Sequence, residues 1–218
     1  MSWTTNRILL NQTAHTPPGE IFQVVCDEIG RHYEQRGFKY SRSRPKIVSK
    51  DQDFRVEVGF SSSRSNMAGS FVAMEIGGGI YSLKHAKKGG SSGLLLGGPF
   101  EQKYTDNKRK IRVVQIYGDV LERDDEYSHE SVIKYNRSCD LYGIDEAKFF
   151  KIIEFIDIHI LSWREKITME HEIVELLRDP TGFTVWQLGL QEGGGNSSFV
   201  EYVKEMFPNI DLSRWRSS

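Results

Sequence analysis

Cysteine is scarce in this 218-residue chain: only Cys26 and Cys139 are present, and neither belongs to a Cys-x-x-Cys pair. With no Cys/His cluster at structural-zinc spacing, neither a disulfide framework nor a zinc site is expected to hold the fold. Two isolated thiols fit a reducing compartment. The opening Met-Ser-Trp-Thr-Thr-Asn-Arg lacks the charged-then-apolar pattern of a signal peptide. A cytoplasmic location is therefore expected. No apolar run approaches the roughly 20 residues of a membrane-spanning helix, so no membrane partner is expected.

Surplus charge is also missing. There are 29 basic and 30 acidic residues, for a net charge of −1. Nucleic-acid binding draws on counterion release by excess positive charge, so a global footprint of that kind is excluded and only a local patch is left open. Catalytic signatures are absent too. No P-loop and no Gly-x-Ser-x-Gly elbow occurs, and His171-Glu172 is not followed by the second histidine of a zinc-protease helix. Pairs such as Asp124-Asp125 lie in a charge run, whereas carboxylates tuned for acid–base work need burial. No cofactor and no metal is expected.

What the chain does contain is legible hydrophobic periodicity. Residues 1–15 read as an irregular lead-in. Thr16 before Pro17 and Pro18 predicts a helix start, since proline's missing donor costs nothing in a first turn. Ile21, Phe22, Val25, Cys26, Ile29 and Tyr33 then share one helical face, and Gly37 is placed as a left-handed stop with Phe38 packing behind it. Residues 45–62 predict a hairpin turning at Lys50–Asp53, with Phe54, Val56, Val58 and Phe60 alternating with polar or small residues. A second strand through Val72, Met74, Ile76 and Ile80 contains Gly77-Gly78-Gly79, which suggests a bulge, a bend or the close approach of another backbone.

Residues 82–110 read as a long glycine-rich loop, Ile111–Tyr117 as an inner strand, and 119–143 as charged and irregular. Ile144–Trp163 predicts a central helix, although Phe155 and Ile158 intrude on its polar face. Met169–Arg178 predicts a shorter helix, and Thr184–Leu190 a short strand. Ser198 with Glu201 is set as a capping box for a last helix. The expected fold class is α+β: an N-terminal helix packed on an antiparallel sheet (residues 1–118), then a mainly helical part (119–218) on the same core.

Three regions are candidates for binding. The Ser61–Asn66 loop offers Ser62, Arg64 and Asn66. Lys84, His85, Lys87 and Lys88 sit beside glycines whose amides could cradle an anion. That makes a phosphorylated small molecule or nucleotide, bound through loop 84–98, the alternative function, whether by simple binding or by an enzyme on it. A mobile solvated loop is the blander reading. Lys108, Arg109, Lys110 and Arg112 form the densest basic cluster, near Phe100, Tyr104 and Tyr117 that could stack bases. This makes nucleic acid a third reading, against the commoner outcome of a solvated turn. Gly193–Ser198 could present helix amides to an anion, or simply cap a helix.

Arg36-Gly37-Phe38-Lys39, the strand Phe54–Phe60, the Ser-Ser-rich loop at 61–66 and Gly79-Ile80-Tyr81-Ser82 together resemble a widespread bacterial domain family of unknown function. The resemblance covers about residues 20–85, and the glutamine common before the family's serine pair is absent here. It implies an α+β domain and no activity. Small domains of this layout are also similar to immunity proteins that bind bacterial toxins. The leading expectation is a non-enzymatic interaction protein, of immunity or inhibitor type, that binds a partner protein; its oligomeric state is left open.

Overall fold

The computed structural model describes residues 3–87, 93–99, 102–104, 109–124, 131–177 and 197–212. It is an α+β fold. A short helix α1 (Arg7–Leu10) and a long helix α2 (Pro18–Glu34) precede strands β1 (Lys39–Ser41), β2 (Lys46–Lys50), β3 (Phe54–Ser62) and β4 (Ala73–Ser82). A 3-10 turn (His85–Lys87) leads to β5 (Leu94–Gly98), β6 (Gln102–Tyr104), β7 (Lys110–Val114), β8 (Leu121–Asp124), β9 (Ser131–Tyr135) and β10 (Ser138–Asp140). Helix α3 (Glu146–Ile156) runs through a π-helical turn (Asp157–Leu161) into α4 (Trp163–Lys166); α5 (Glu170–Leu177) and α6 (Ser197–Met206) follow.

The predicted entry and stop of the long helix hold. Proline stands at its first position, and Gly37 takes φ +86°. The Phe38 amide donates to the Tyr33 carbonyl at 3.1 Å, and the two rings meet edge-on at 5.3 Å. The hairpin also holds. Asp51 closes its turn by accepting from the Asp53 and Phe54 amides at 2.9 and 2.7 Å, and β2 and β3 pair antiparallel from Lys46↔Gly59 to Lys50↔Arg55.

The main sheet runs β1-β2-β3-β4, antiparallel throughout. The far edge of β4 is shared: β10 pairs with Ala73–Glu75 and β5 with Gly78–Tyr81. One face of this sheet is covered twice. Ile47, Val58, Phe60, Met74 and Ile76 pack under α2 and α3 in one buried cluster. Phe54, Val56, Ile80, Leu95 and Leu96 pack under α4, α5 and α6 in another. Full burial of such side chains is worth about 1.5–3 kcal/mol each. Ile160, at the end of the π turn, belongs to the first cluster and Trp163 to the second, and Leu161 touches both. The π turn inserts one residue into the helical phase. It thereby aims Ile160 at the sheet and Asp157 at α2, where Asp157 accepts from Tyr33 Oη at 2.9 Å and from Arg36 at 2.8 Å.

The triple glycine is no break in the strand. β3 and β4 stay in register through it, Val58↔Gly78 included. Gly78 lies on the buried face, where a Cβ would overlap the Cγ2 of Ile160. The close approach is thus made by a side chain, not by a second backbone.

Other expectations are corrected. The lead-in contains α1, capped by the Asn6 side chain on the Ile8 amide. Residues 94–98 of the expected long loop form a strand, and Leu95 and Leu96 are buried. Residues 119–143, read as irregular, contribute β8, β9 and β10. β8 and β9 belong to a second sheet in the order β6-β9-β7-β8, in which β7, the expected inner strand, runs parallel to β9. All four residues of β8 are exposed, so there is no buried face to write an alternation into its sequence. The 144–163 helix divides at the π turn, and the intruding Phe155 is buried because it packs on Tyr135 of β9. The predicted strand 184–190 lies outside the described residues. No helix of the described residues is long and apolar enough to cross a membrane.

Candidate functional site

The loop after β3 uses its polar side chains on itself. Asn66 Nδ2 donates to Ser62 Oγ at 2.7 Å, Asn66 Oδ1 accepts from the Ala73 amide at 2.8 Å, and Ser62 Oγ donates to the Ala73 carbonyl at 3.2 Å. Ser62 and Asn66 therefore close the loop, which leaves Arg64 exposed at its tip.

The lysine–histidine cluster is turned toward a carboxylate. Lys84 pairs with Glu205 of α6. His85 is 3% exposed; its Nδ1 lies 2.8 Å from Ser82 Oγ, its Nε2 3.8 Å from Glu205 Oε2, and its ring 6.1 Å from that of Tyr202. The sequence Ser–His–Glu invites comparison with a nucleophilic triad, but Ser82 is itself 3% exposed and its Oγ accepts from the His85 amide at 3.3 Å. It closes a turn. The adjoining concavity of about 340 Å³ is lined by His85, Glu201, Lys204 and Glu205. Two carboxylates stand where an anion would have to enter. The side chain of Lys87 and all of Lys88 lie outside the described residues.

The third cluster is spent in the second sheet. Arg112 meets Glu122 of β8 at 2.8 Å, directly across the strands, and Lys110 meets the same carboxylate at 3.8 Å. Arg109 is exposed, and Lys108 lies outside the described residues. The two cysteines are buried; burial pushes the Cys139 thiol up to about 12, against a smaller opposing contribution from its hydrogen bond with Tyr117, and burial likewise raises that of Cys26. A thiol so raised is not a nucleophile at neutral pH. Among the described residues no group of three His, Cys, Asp or Glu side chains could hold a metal ion. Gly193–Asn196 fall outside the described residues.

No common site joins these three clusters. What the strand pairing does assemble is the other face of the main sheet, which sequence reasoning treated only as the solvent side of alternating strands. Its cross-strand rows follow from the register: Ser41–Lys46–Gly59–Gly77, then Lys39–Val48–Glu57–Gly79–Gly97, then Lys50–Arg55–Tyr81. Glu57 serves two cations, Lys46 at 2.8 Å and Arg55 at 3.4 Å, and the Arg55 guanidinium lies 4.3 Å from the centre of the Tyr81 ring. Glu75 pairs with Arg137 at 3.1 Å. Between these groups is an open dish of about 670 Å³ lined by Ser43, Arg44, Pro45, Lys46, Gly59, Phe60, Ser61, Glu75 and Gly77. A Cβ at Gly77 would meet nothing within 4 Å, so bare backbone forms part of the floor. The available signal in the sequence was the set of residues between the apolar ones, namely Lys39, Lys46, Lys50 and Arg55.

No family model, curated protein or solved structure matches this chain.

Proposed function

We propose that this protein acts without chemistry of its own, by binding a partner protein in the manner of an immunity or inhibitor protein. The observation that carries this reading is the outer face of the main sheet: an open, shallow surface with bare backbone at Gly77 and charged side chains spread across it, Lys46, Arg55 and Glu57 among them. A surface of that shape suits a macromolecule better than a small ligand, which favours a concave site that buries most of its surface. The concavities beside Lys84–His85 and beside Arg44 are open dishes. The first also presents carboxylates, which disfavours a phosphorylated ligand there.

Co-expression with the product of the neighbouring gene, followed by co-purification and light scattering, tests it. A stoichiometric complex is expected. A chain that stays alone in that experiment yet hydrolyses a nucleotide overturns the proposal.

A further inference from the structure

We propose that the outer face of β1–β4, rimmed by Arg44, docks a partner protein through an acidic patch. This inference rests on the partner-binding reading above and names its surface and its chemistry.

The chain as a whole is electrically balanced, but its charges are sorted. On and around this face stand Lys39, Arg44, Lys46, Lys50, Arg55 and Arg137, against the carboxylates Glu57 and Glu75. Both carboxylates are already engaged by cations of the face. Lys39, Arg44 and Lys50 are exposed and have no carboxylate partner among the described residues. On the opposite side of the sheet, α5 carries Glu170, Glu172 and Glu175, and α6 carries Glu201 and Glu205. This sheet face therefore carries a local excess of cations over its two carboxylates, whereas α5 and α6 carry a local excess of carboxylates.

Folding does not account for that gathering. Lys50 lies directly across from Arg55, and like charges so placed are destabilising. Arg55 is compensated by Glu57 and Tyr81, whereas Lys50 is not. A complementary partner would supply the missing counter-charge and would be steered to this face.

Size and relief fit a protein. Strand spacing and rise give β1–β4 a sheet plane on the order of 400–450 Å², about half of the ~800 Å² that each side of a standard interface buries, and the side chains raised on it and the 42–45 turn add to that area. Val48 and the lysine stems give apolar area between the charges. Nucleic acid fits less well. Glu57 and Glu75 stand within the face and would oppose a phosphate chain. Tyr81, the aromatic in the cross-strand rows, carries the Arg55 guanidinium on its ring and is not free to stack a base.

The test uses the full chain and a triple variant, Lys39→Glu/Arg44→Glu/Lys50→Glu. These side chains have no described ion-pair partner, so the variant should keep the wild-type melting temperature, which circular dichroism checks. Amide spectra are recorded on titration with poly-L-glutamate, and separately with a single-stranded DNA of about 20 nucleotides. Shifts confined to residues 39–59 and 75–81, weakened at least tenfold in the variant, are expected with the polypeptide. Equal or tighter binding of the DNA at the same residues overturns the inference, as does polypeptide binding elsewhere or none. The neighbouring gene's product separates the two levels of the argument. If it forms a complex that the triple variant retains, the surface is wrong and the binding function stands. If it forms none while poly-L-glutamate still maps to this face, the surface stands and the function must be sought with another class of partner.

Discussion

The two faces of strand β3 carry opposite kinds of information. One presents Phe54, Val56, Val58 and Phe60, all buried under helices; the other presents Arg55, Glu57 and Gly59, half-buried and with no helix over them, and the exposed Ser61. The same contrast runs one strand over, where Gly78 faces Ile160 and Gly77 faces nothing. On the inner face each residue is explained by a neighbour it touches. On the outer face, Lys39, Lys50 and Gly77 have no such explanation within the described chain. A face whose residues the fold does not require is the place to look for what the fold serves.

The largest effect expected from breaking this contrast is on the inner side. Phe60→Ala should destabilise by about 3–5 kcal/mol, the usual loss for emptying a buried aromatic site, measured by urea unfolding. Next comes the glycine pair. Gly78→Ala drives a methyl into the branched, buried side chain of Ile160, and overpacking of this kind costs about 1–3 kcal/mol. Gly77→Ala adds a methyl to open space and should be neutral or stabilising by up to about 0.5–1 kcal/mol, because strand glycine is costly relative to alanine. Equal losses at both positions would erase the distinction between the faces. Glu57→Gln leaves Lys46 and Arg55 without their shared counter-ion. Since all three are partly exposed, the loss should stay under about 1 kcal/mol, with a smaller difference at high salt.

The smallest effect concerns pH. The His159 ring lies tilted against two aromatic rings, its centre 4.4 Å from that of Tyr135 and 5.1 Å from that of Phe155. Burial lowers its pKa below the ordinary 6.5, the charge of Lys166 acts in the same direction, and Glu154 opposes. The folded chain thus accepts this proton less readily than the unfolded one. The contribution is full above about 6.5 and is lost as pH falls through the depressed folded value. His159→Gln should narrow the gap between melting temperatures at about pH 8 and pH 5; an unchanged gap would remove His159 from the account.

Much of the scaffold was legible because periodicity was clean where one face meets a core. The helix from Ile21 to Tyr33 and the alternation from Phe54 to Phe60 are such cases. Legibility failed where burial did not write a pattern. β8 is exposed at every position, and Leu94–Leu96 are hidden among glycines. The π turn shifts the helical phase between Ile156 and Ile160, which no fixed period anticipates. The fate of the charge clusters was hidden for a different reason. Charges dense in sequence, at Lys84–His85 and Lys110–Arg112, find their counter-ions at Glu205 and Glu122, far along the chain or across a strand. Lys39, Lys50 and Arg55, separated in sequence, are brought to one end of the sheet face only by strand register, and Arg44 stands in the turn at the other end.

The glycine run at 77–79 also makes the sheet thin at one point. Gly78 has the Ile160 methyl against its inner surface, and Gly77 beside it has no side chain on its outer one. At that point the wall between the hydrophobic interior and the outside is a single peptide plane. An occupant resting on Gly77 would sit one backbone layer from the residue that bridges the helices to the sheet, and amide exchange at Ile160 and Leu161 should slow when that wall is covered.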